Sequence, residues 1–409
     1  MNKAHIFKRI FSLWSTILLG AAAILLVFAV VSSPETAFQS SLQALKLWWN
    51  IVFPALLPFL VLVEIINAYG WAQGIGVLME PLMRKVFRLP GKGGSVLITG
   101  MIAGFPAGAQ VSATMVEQGE LDAKDAGKLA ALSHFCNPMT ILIVIGSGLL
   151  HQPAAGYFLL AIHWISGLLA AWTYSARRVT LTRKMSLQSE YATKHKKQNK
   201  NASLLLQAAR AASEARTRDG RSFGKLLGES VSRSVHTLMM TGGFIMIFSV
   251  IVNAISSYVL PNVPSYATAS LFEFHLGAQR ISEGSFVSPT MQLAILSAVL
   301  AWSGVSAHLQ TLSGMKTNSG LKWTVFAFKR LVHAAYAFGL TLVLWEPASS
   351  ITSSVLPAFG YVPQDTLQNE HSFSLWSEFY KLFQWQIVTA IVLIGLFLTM
   401  SRFIGRLSR

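Results

Sequence analysis

A stretch rich in glycine, alanine and proline interrupts an apolar run where a membrane helix would otherwise continue. Residues 100–110 read Gly-Met-Ile-Ala-Gly-Phe-Pro-Ala-Gly-Ala-Gln. Pro106 removes a backbone donor and clashes with the preceding turn, while Gly104 and Gly108 permit backbone angles that a side chain would forbid. A break here exposes N–H and C=O groups, which a bilayer tolerates only against protein or water. Because transporters commonly hold substrate at such breaks, this stretch is a candidate binding site.

The chemistry that suits the break is the binding of an anion. Free N–H groups and the positive dipole ends of half-helices attract a carboxylate, and an amide side chain adds a donor. The candidate contacts in this stretch are Gly104, Pro106, Gly108, Ala109 and Gln110. The competing interpretation is a proline-kinked helix whose small residues only pack against a neighbour.

Two further polar groups lie inside apolar runs. The first surrounds an Asn-Pro step, which breaks a membrane helix and supplies an amide. The second places serine and glutamine on roughly one helical face, with a histidine between them. The candidate contacts in the two groups are Ser133, Asn137, Pro138, Ser303, Ser306, His308 and Gln310. A satisfied kink and a small-residue packing seam are the respective alternatives.

Three glutamates lie at or near membrane depth, where carboxylates are costly and often functional. Glu80 precedes Arg84 by one helical turn, which favours an interfacial ion pair. Glu64, near Asn67, is a candidate for coupling transport to a proton or another cation. Glu273 occupies a place in the second half comparable to that of Glu80.

The sequence lacks the groups that catalysis would need. Residues 91–94, Gly-Lys-Gly-Gly, do not have the spacing of a phosphate-binding loop. We find no hydrolase triad and no cluster of metal ligands, and Cys136 is the single cysteine, which excludes an intramolecular disulfide. We therefore expect neither an enzyme nor a cofactor or metal site.

Composition indicates a polytopic membrane protein. The chain is 53% hydrophobic and 12% charged, with a mean hydropathy of +0.49. Soluble domains carry about 25% charged residues. The net charge of +16 is explained first by cytoplasmic loops and anionic headgroups, so we expect a lipid bilayer as partner and no nucleic acid.

The apolar runs predict an all-α fold with roughly seven to nine membrane spans, the first an uncleaved helix. The predicted segments are Phe11–Val31, Leu45–Ala68, Ser95–Gln118, Lys128–Leu150, Ala154–Ala176, Val231–Leu260, Gln292–Gln310, Trp323–Trp345 and Leu375–Thr399. Trp48 and Trp49 suit the outer interface of the second segment.

A basic loop over residues 177–225 sets the expected topology. It holds thirteen Lys or Arg and three Asp or Glu, and the positive-inside rule places it and the N-terminus in the cytoplasm. Its charge is typical of a solvated run, with one surface helix over Ala202–Arg216. Because Lys92 is also expected inside, Ser95–Lys128 is predicted to be a re-entrant hairpin with the Gly104–Gln110 break near its tip.

The second half repeats the first weakly. Ile65–Ala68 resembles Ile251–Ala254, and residues 98–110 can be laid on 296–308. Paired interrupted segments point to a binding site near the midplane. We therefore predict four parts: a first helix over 1–40, one repeat over 41–176, the basic loop over 177–225, and a second repeat with a C-terminal helix over 226–409.

The two halves leave one conflict open. An inverted repeat requires residues 290–318 to enter from outside as a re-entrant hairpin. Lys316, Lys322, Lys329 and Arg330 argue instead that the far end is cytoplasmic, which would make Gln292–Gln310 a full crossing.

Five separated motifs carry a resemblance to a known family. They are Leu-Trp-Trp-Asn-Ile-Val-Phe-Pro-Ala-Leu-Leu-Pro-Phe at 47–59, Gly-Val-Leu-Met-Glu-Pro-Leu-Met at 76–83, Phe-Arg-Leu-Pro-Gly at 87–91, Gly-Phe-Pro-Ala-Gly-Ala at 104–109, and Asn-Pro at 137–138. In this order they resemble the sporulation integral membrane protein YlbJ family. That family carries the nucleoside-recognition Gate domain, which is similar to the core of concentrative nucleoside transporters.

The resemblance implies two Gate-type repeats with broken helices and re-entrant hairpins around a polar site. It also implies a role in moving dipicolinic acid, a small aromatic dicarboxylate, across the outer forespore membrane of a spore-forming bacterium. The family often has lysine after Gly-Ala, where this chain has Gln110, so one counter-charge for an anion is missing.

Three functions remain open on the sequence. The first is a permease that carries dipicolinate by alternating access around paired broken helices. The second is a nucleoside permease, which a cluster of acids for ribose hydroxyls would favour. The third is a structural or assembly protein of the spore envelope, with the basic loop as its binding element. Whether the chain forms a homo-oligomer is also open.

Overall fold

The computed structural model describes residues 17, 20, 21, 23–176, 203–315 and 321–355, and every regular element in these ranges is a helix. The helices before the basic loop are α1 Ala23–Ser32, α2 Pro34–Leu47, α3 Phe53–Ala68, α4 Trp71–Leu78, α5 Glu80–Lys85, α6 Gly93–Ala103, α7 Ala107–Glu117, α8 Ala123–Leu132 and α9 Pro153–Ala176. Those after it are α10 Leu204–Asp219, α11 Phe223–Ala254, α12 Ser265–Phe272, α13 Phe274–Glu283, α14 Pro289–Trp302, α15 Gly304–Ser313 and α16 Trp323–Val355. The described residues also contain three π-helical stretches: Trp48–Val52, Thr140–Leu149 and Ile255–Val259.

The first long helix is continuous although it contains Pro54 and Pro58. The stretch Pro34–Ala68 is helical throughout, with the π-helical turn directly before Pro54. A wider turn accommodates a residue without an N–H at less cost than a regular α-turn. Trp49 is 59% exposed, as an interfacial residue would be, but Trp48 is buried and donates its indole N–H to Leu238 O at 2.9 Å. The prediction of an interfacial Trp48 is therefore wrong, because the residue lies in the π-helical stretch before α3 and packs against α11.

The order of elements repeats between the two halves. Each half has a long helix, two short helices and then an interrupted segment: α3 to α7 in the first half and α11 to α15 in the second. The sequence equivalence of 98–110 with 296–308 is matched by breaks at Gly104–Pro106 and at Ser303–Gly304. Gly104, Ser303 and Gly304 all have positive φ, at 82°, 68° and 78°. The division of the chain into these four parts remains a prediction.

The two interrupted segments differ in how their arms pack. Helices α6 and α7 lie against each other across the break, as expected for a hairpin. Each has 11 residues, which rise about 16 Å, about half of the hydrocarbon thickness. Helices α14 and α15 make few contacts with each other, and α15 packs on α12 and α16 instead. A folded-back hairpin is therefore described for the first segment alone.

Five helical segments are long and apolar enough to cross a membrane: Pro34–Ala68, Pro153–Ser175, Phe223–Tyr258, Pro289–Ser313 and Trp323–Ser349. The predicted span Phe11–Val31 is described from residue 23 as helix Ala23–Ser32, and the predicted span Leu375–Thr399 lies outside the described residues. The total number of spans remains a prediction.

The basic loop contains a helix that docks on the protein. Helix α10 begins after Ser203, whose hydroxyl accepts from Leu206 N at 3.3 Å, and ends at Gly220 in the left-handed region. Gly70 and Gly74 let it approach α4 closely, because a Cβ at either would meet its backbone. The predicted helix is confirmed, but this part of the loop is not simply a solvated charge run. After it, the Arg221 guanidinium pairs with Asp219 at 2.6 Å and holds the pKa of that carboxyl below its usual range.

Two large buried clusters and a third small one, formed by Ile162, Ala301 and Ala337, hold the described chain together. The largest joins both halves and includes Ala44, Ile141, Ile245 and Leu296. The second lies within the first half, around α4 to α8. The candidate site lies beside the largest cluster, where the two halves meet.

Candidate functional site

A small cavity of about 60 Å³, lined by both polar and apolar residues, lies where the breaks of the two halves converge. Its walls come from the loop Phe105–Pro106, the stretch that follows α8, one face of α3 and one of α11, the junction of α12 with α13, and α15. The proline and glycine chemistry that ends helices early is therefore what brings polar backbone and side chains to this point.

The polar wall residues come from both halves. Asn137 and Thr140 belong to the first half, Thr237 and Thr241 to α11, and Gln310 to α15. Asn137 Oδ1 accepts from Thr140 N at 2.8 Å, so the carbonyl side of its amide is occupied in starting the next helix. Amides and hydroxyls together offer both donors and acceptors to a polar ligand.

A buried carboxylate–imidazole pair forms the remaining polar wall. Glu273 caps α13 by accepting from Leu276 N at 2.9 Å with Oε2, and its Oε1 lies 2.9 Å from His275 Nδ1. Glu273 is 2% and His275 is 3% exposed. His275 Nε2 is buried without a hydrogen-bond partner among the described residues. The cavity lining therefore contains one acid, whose two oxygens are held by a backbone N–H and by this imidazole.

Behind the cavity, His134 connects the two halves. Its ring stacks on Phe105 with centroids 4.6 Å apart. His134 Nε2 lies 2.7 Å from Ser303 Oγ, and Nδ1 lies 2.9 Å from Thr311 Oγ1. Ser303 Oγ also donates to Trp302 O at 2.5 Å, so His134 Nε2–H donates to the serine and Nδ1 accepts from the threonine. Both ring nitrogens of His134 are thus hydrogen-bonded to the second half, one to Ser303 at the break and the other to Thr311 on α15.

Arg330 is buried in the same region and fastens the end of α8. It is 5% exposed, and its guanidinium donates to His134 O at 2.6 Å and to Ala131 O at 3.1 Å. Nη1 also donates to His333 Nδ1 at 3.2 Å, and His333 Nε2 donates to His163 O at 3.0 Å. Reading Arg330 as a topology signal was wrong, because this cation caps open backbone carbonyls in the interior. The topology argument from the three lysines Lys316, Lys322 and Lys329 is unaffected.

Three of the candidate binding residues line the cavity: Pro106, Asn137 and Gln310. Gly104 lies directly behind Asn137, where a Cβ would stand 2.9 Å from Asn137 N. Pro138 begins the helix that leads into Thr140. These residues are the part of the candidate set that the structure brings together around one space.

Four others lie outside the cavity lining in the described conformation, three of them in packing and one exposed. Gly108 lies against the Ser133 side chain, whose Cβ would be 2.6 Å from a Cβ at position 108. Ala109 and Ser133 are buried. Gln110 is exposed and lies beside Gly314 rather than in the cavity, because the α7 turn that follows Pro106 directs it away.

The remaining candidates lie beside the cavity. Ser303 and His308 belong to the His134 network, and His308 Nε2 donates to Trp302 O at 2.8 Å. Ser306 is buried, and its hydroxyl has no partner among the described residues. Glu64 lies one helical turn beyond Leu60, a cavity-lining residue. Glu80 pairs with Arg84 at 2.6 Å, which confirms the ion pair, and its interfacial position stays a prediction.

Sequence reasoning missed four important residues: His275, Thr237, Thr241 and Arg330. An arginine and a histidine three residues apart in a long apolar segment, at 330 and 333, were a usable signal, because intramembrane ionisable residues face the bundle interior. The threonines carried no signal, since hydroxyls on a long helix are common packing residues.

Comparison with known proteins agrees with this architecture. A family model described as Gate, nucleoside recognition, matches residues 50–150, which include the first interrupted hairpin and the Asn137-Pro138 break. The sporulation integral membrane protein YlbJ of Bacillus subtilis (strain 168) is 32% identical over 351 residues, which cover 81% of this chain and 83% of that relative. No solved structure matches the chain. Identity at this level over most of both chains establishes the relationship, and this integral membrane protein belongs to the sporulation integral membrane protein YlbJ family.

Proposed function

We propose that this protein is a permease that moves dipicolinate across the outer forespore membrane. The observation that supports the proposal best is the cavity between the interrupted helices of both halves, whose lining combines polar and apolar residues. Broken helices around a polar space are the arrangement in which transporters bind solutes near the midplane. The identity of the cargo comes from the family resemblance, and the amide and hydroxyl donors of the cavity suit its carboxylates.

Transport in this proposal requires the two halves to separate. A cavity of about 60 Å³ has room for about two water molecules, whereas a pyridine dicarboxylate is far larger. The described conformation is therefore a closed one. The contacts that must open lie around Phe105 and His134, because these residues join the first break to Ser303 and Thr311 of the second half.

A nucleoside is the second candidate cargo, favoured by one observation. The Glu273 carboxylate lines the cavity, where it can accept hydrogen bonds from ribose hydroxyls and would repel a dianion. A role as an assembly protein finds less support, since the described helix of the basic loop uses one face to pack on α4.

The first test compares the two cargoes by exchange in proteoliposomes. Vesicles loaded with unlabelled solute are placed in labelled solute of the same kind, so that no net driving force is needed. We expect rapid exchange of dipicolinate and slow exchange of uridine. Protein-free vesicles give the background rate. Exchange of uridine alone would support the nucleoside permease, and exchange of neither by folded protein would exclude both.

A matched pair of glutamines tests the position of the site. Gln310 lines the cavity and Gln110 does not. Gln310→Glu should slow dipicolinate exchange by about tenfold or more, because a second carboxylate in a poorly hydrated space repels the cargo. Gln110→Glu should change the rate by less than about twofold, since exposed charges are screened by solvent. Equal effects of the two variants would contradict the cavity as the site.

A further inference from the structure

The Glu273–His275 pair combines two properties that a proton-coupled carrier needs. The pair lines the cavity, and both side chains are almost fully buried. One carboxylate oxygen is fixed by Leu276 N, while the other lies 2.9 Å from His275 Nδ1. The second ring nitrogen, Nε2, has no partner among the described residues. This is an unsatisfied buried polar atom on a cavity-lining residue, and such atoms are rare in folded proteins.

The protonation state of the imidazole decides what that atom offers. In neutral His275, Nδ1–H donates to Glu273, so Nε2 carries a lone pair and can only accept. The cavity is then net negative and presents no donor from the pair to a carboxylate. One added proton makes Nε2 a donor and makes the pair neutral overall. Binding of a carboxylate and binding of a proton therefore favour each other.

Among the titratable groups around the cavity, the Glu273–His275 pair is the one that we assign to bind the proton. The other titratable groups nearby are the Cys136 thiol in the cavity wall and His134, which stacks on Phe105. Glu64 lies one turn beyond the lining part of α3, and on α11 the exposed Arg233 precedes Thr237 by one turn. The lining itself contains one acid, Glu273, and neither lysine nor arginine.

We propose that the Glu273–His275 pair binds the coupling proton of a proton–carboxylate symporter. This inference rests on the proposed function and specifies its driving force. A proton from the loading side binds His275 Nε2, the cargo carboxylate accepts a hydrogen bond from it, and both leave on the opposite side. The pair returns with Nε2 unprotonated. No covalent bond changes, and each cycle moves one proton with one cargo molecule.

The experiment measures proton movement and cargo movement in the same proteoliposomes. Vesicles contain a trapped fluorescent pH dye, and the membrane potential is clamped at zero with potassium and valinomycin. An inward gradient of dipicolinate should acidify the interior of wild-type vesicles. An inward proton gradient should raise steady-state accumulation about tenfold per pH unit, because one proton per cargo supplies the free energy of one tenfold concentration ratio.

Two variants locate the proton, and two matched controls accompany them. His275→Gln and Glu273→Gln should abolish the acidification driven by dipicolinate. Glu80→Gln and His151→Gln make the same chemical changes at an ion pair outside the cavity and at an exposed loop residue, and should leave the acidification as in wild type. A folded His275→Gln protein that still moves protons with cargo would overturn the assignment.

Exchange without a gradient separates the two proposals. If wild-type vesicles exchange dipicolinate but accumulation ignores the proton gradient, the permease stands and the proton site is refuted. If folded wild-type protein exchanges no dipicolinate, the proposed function fails and the coupling inference fails with it. A variant that is absent from the vesicles is replaced by Glu273→Asp, which retains the capping oxygen and a titratable group and should retain proton movement.

Discussion

Replacing Arg330 by methionine is expected to lower the membrane abundance of the protein several-fold and to reduce its melting temperature in detergent. The guanidinium donates to Ala131 O and His134 O at the open end of α8. Each carbonyl left without a donor costs about 1–3 kcal/mol, partly offset because the variant no longer buries a cation. We expect a net loss of about 2–4 kcal/mol, and losses of this size change abundance in cells.

Arg233→Met is the control for this prediction, because Arg233 is exposed on α11 and its loss should leave both measurements close to wild type. Arg330→Lys should fall between the two, since one ammonium group cannot reproduce the fork that reaches both carbonyls. An Arg330→Met protein as abundant and as stable as wild type would show that the α8 end does not depend on this cation.

The second large effect is expected at the contact between the hairpin and Ser133. A Cβ on Gly108 would overlap the Ser133 side chain, whereas a Cβ on Gly100 would overlap the Ser133 backbone carbonyl as well. Gly108→Leu should therefore reduce folded protein and transport together, by an overpacking cost of about 1–3 kcal/mol or more. The glycine acts in packing, so full-length protein with normal abundance but no transport is not expected.

A rescue experiment distinguishes the two glycines. Gly108→Ala should be destabilising alone and largely restored by Ser133→Gly, because that change removes the overlapping atoms. Gly100→Ala should not be restored by Ser133→Gly, because the obstructing carbonyl remains. The measurement is the melting temperature of the four single and double variants. Equal rescue of both glycines would contradict the described packing of α6 and α7 against Ser133.

The positions of the helix breaks were predictable because their causes are local. Gly104, Pro106 and the Asn137-Pro138 step end helices through their own backbone chemistry, and the breaks lie where the sequence indicated. The break at Ser303 was found through the alignment of residues 98–110 with 296–308, which places Ser303 opposite Phe105. The Gate family could likewise be recognised from the sequence, because its motifs are short and occur in a fixed order along the chain.

The direction of side chains after a break was not predictable. Gln110 follows Pro106 by four residues, and which face it takes depends on how α7 packs on α6 and α8, a tertiary property. The same limit applies to Ser133 and Gly108, which fit both a binding site and a packing seam by type. Thr237 and His275 reach the cavity only through contacts between distant segments.

The Arg330 cap also constrains the order in which the protein can mature. The cation follows His134 by 196 positions, an interval that a ribosome translates in about 10–40 s at about 5–20 residues per second. During that time the end of α8 has no guanidinium donor, and His134 has neither Ser303 nor Thr311 to bond. The first half therefore reaches its final structure only after the second half has been synthesised. Until then the incomplete first half is the part of the nascent chain that membrane proteases can cleave and chaperones can bind.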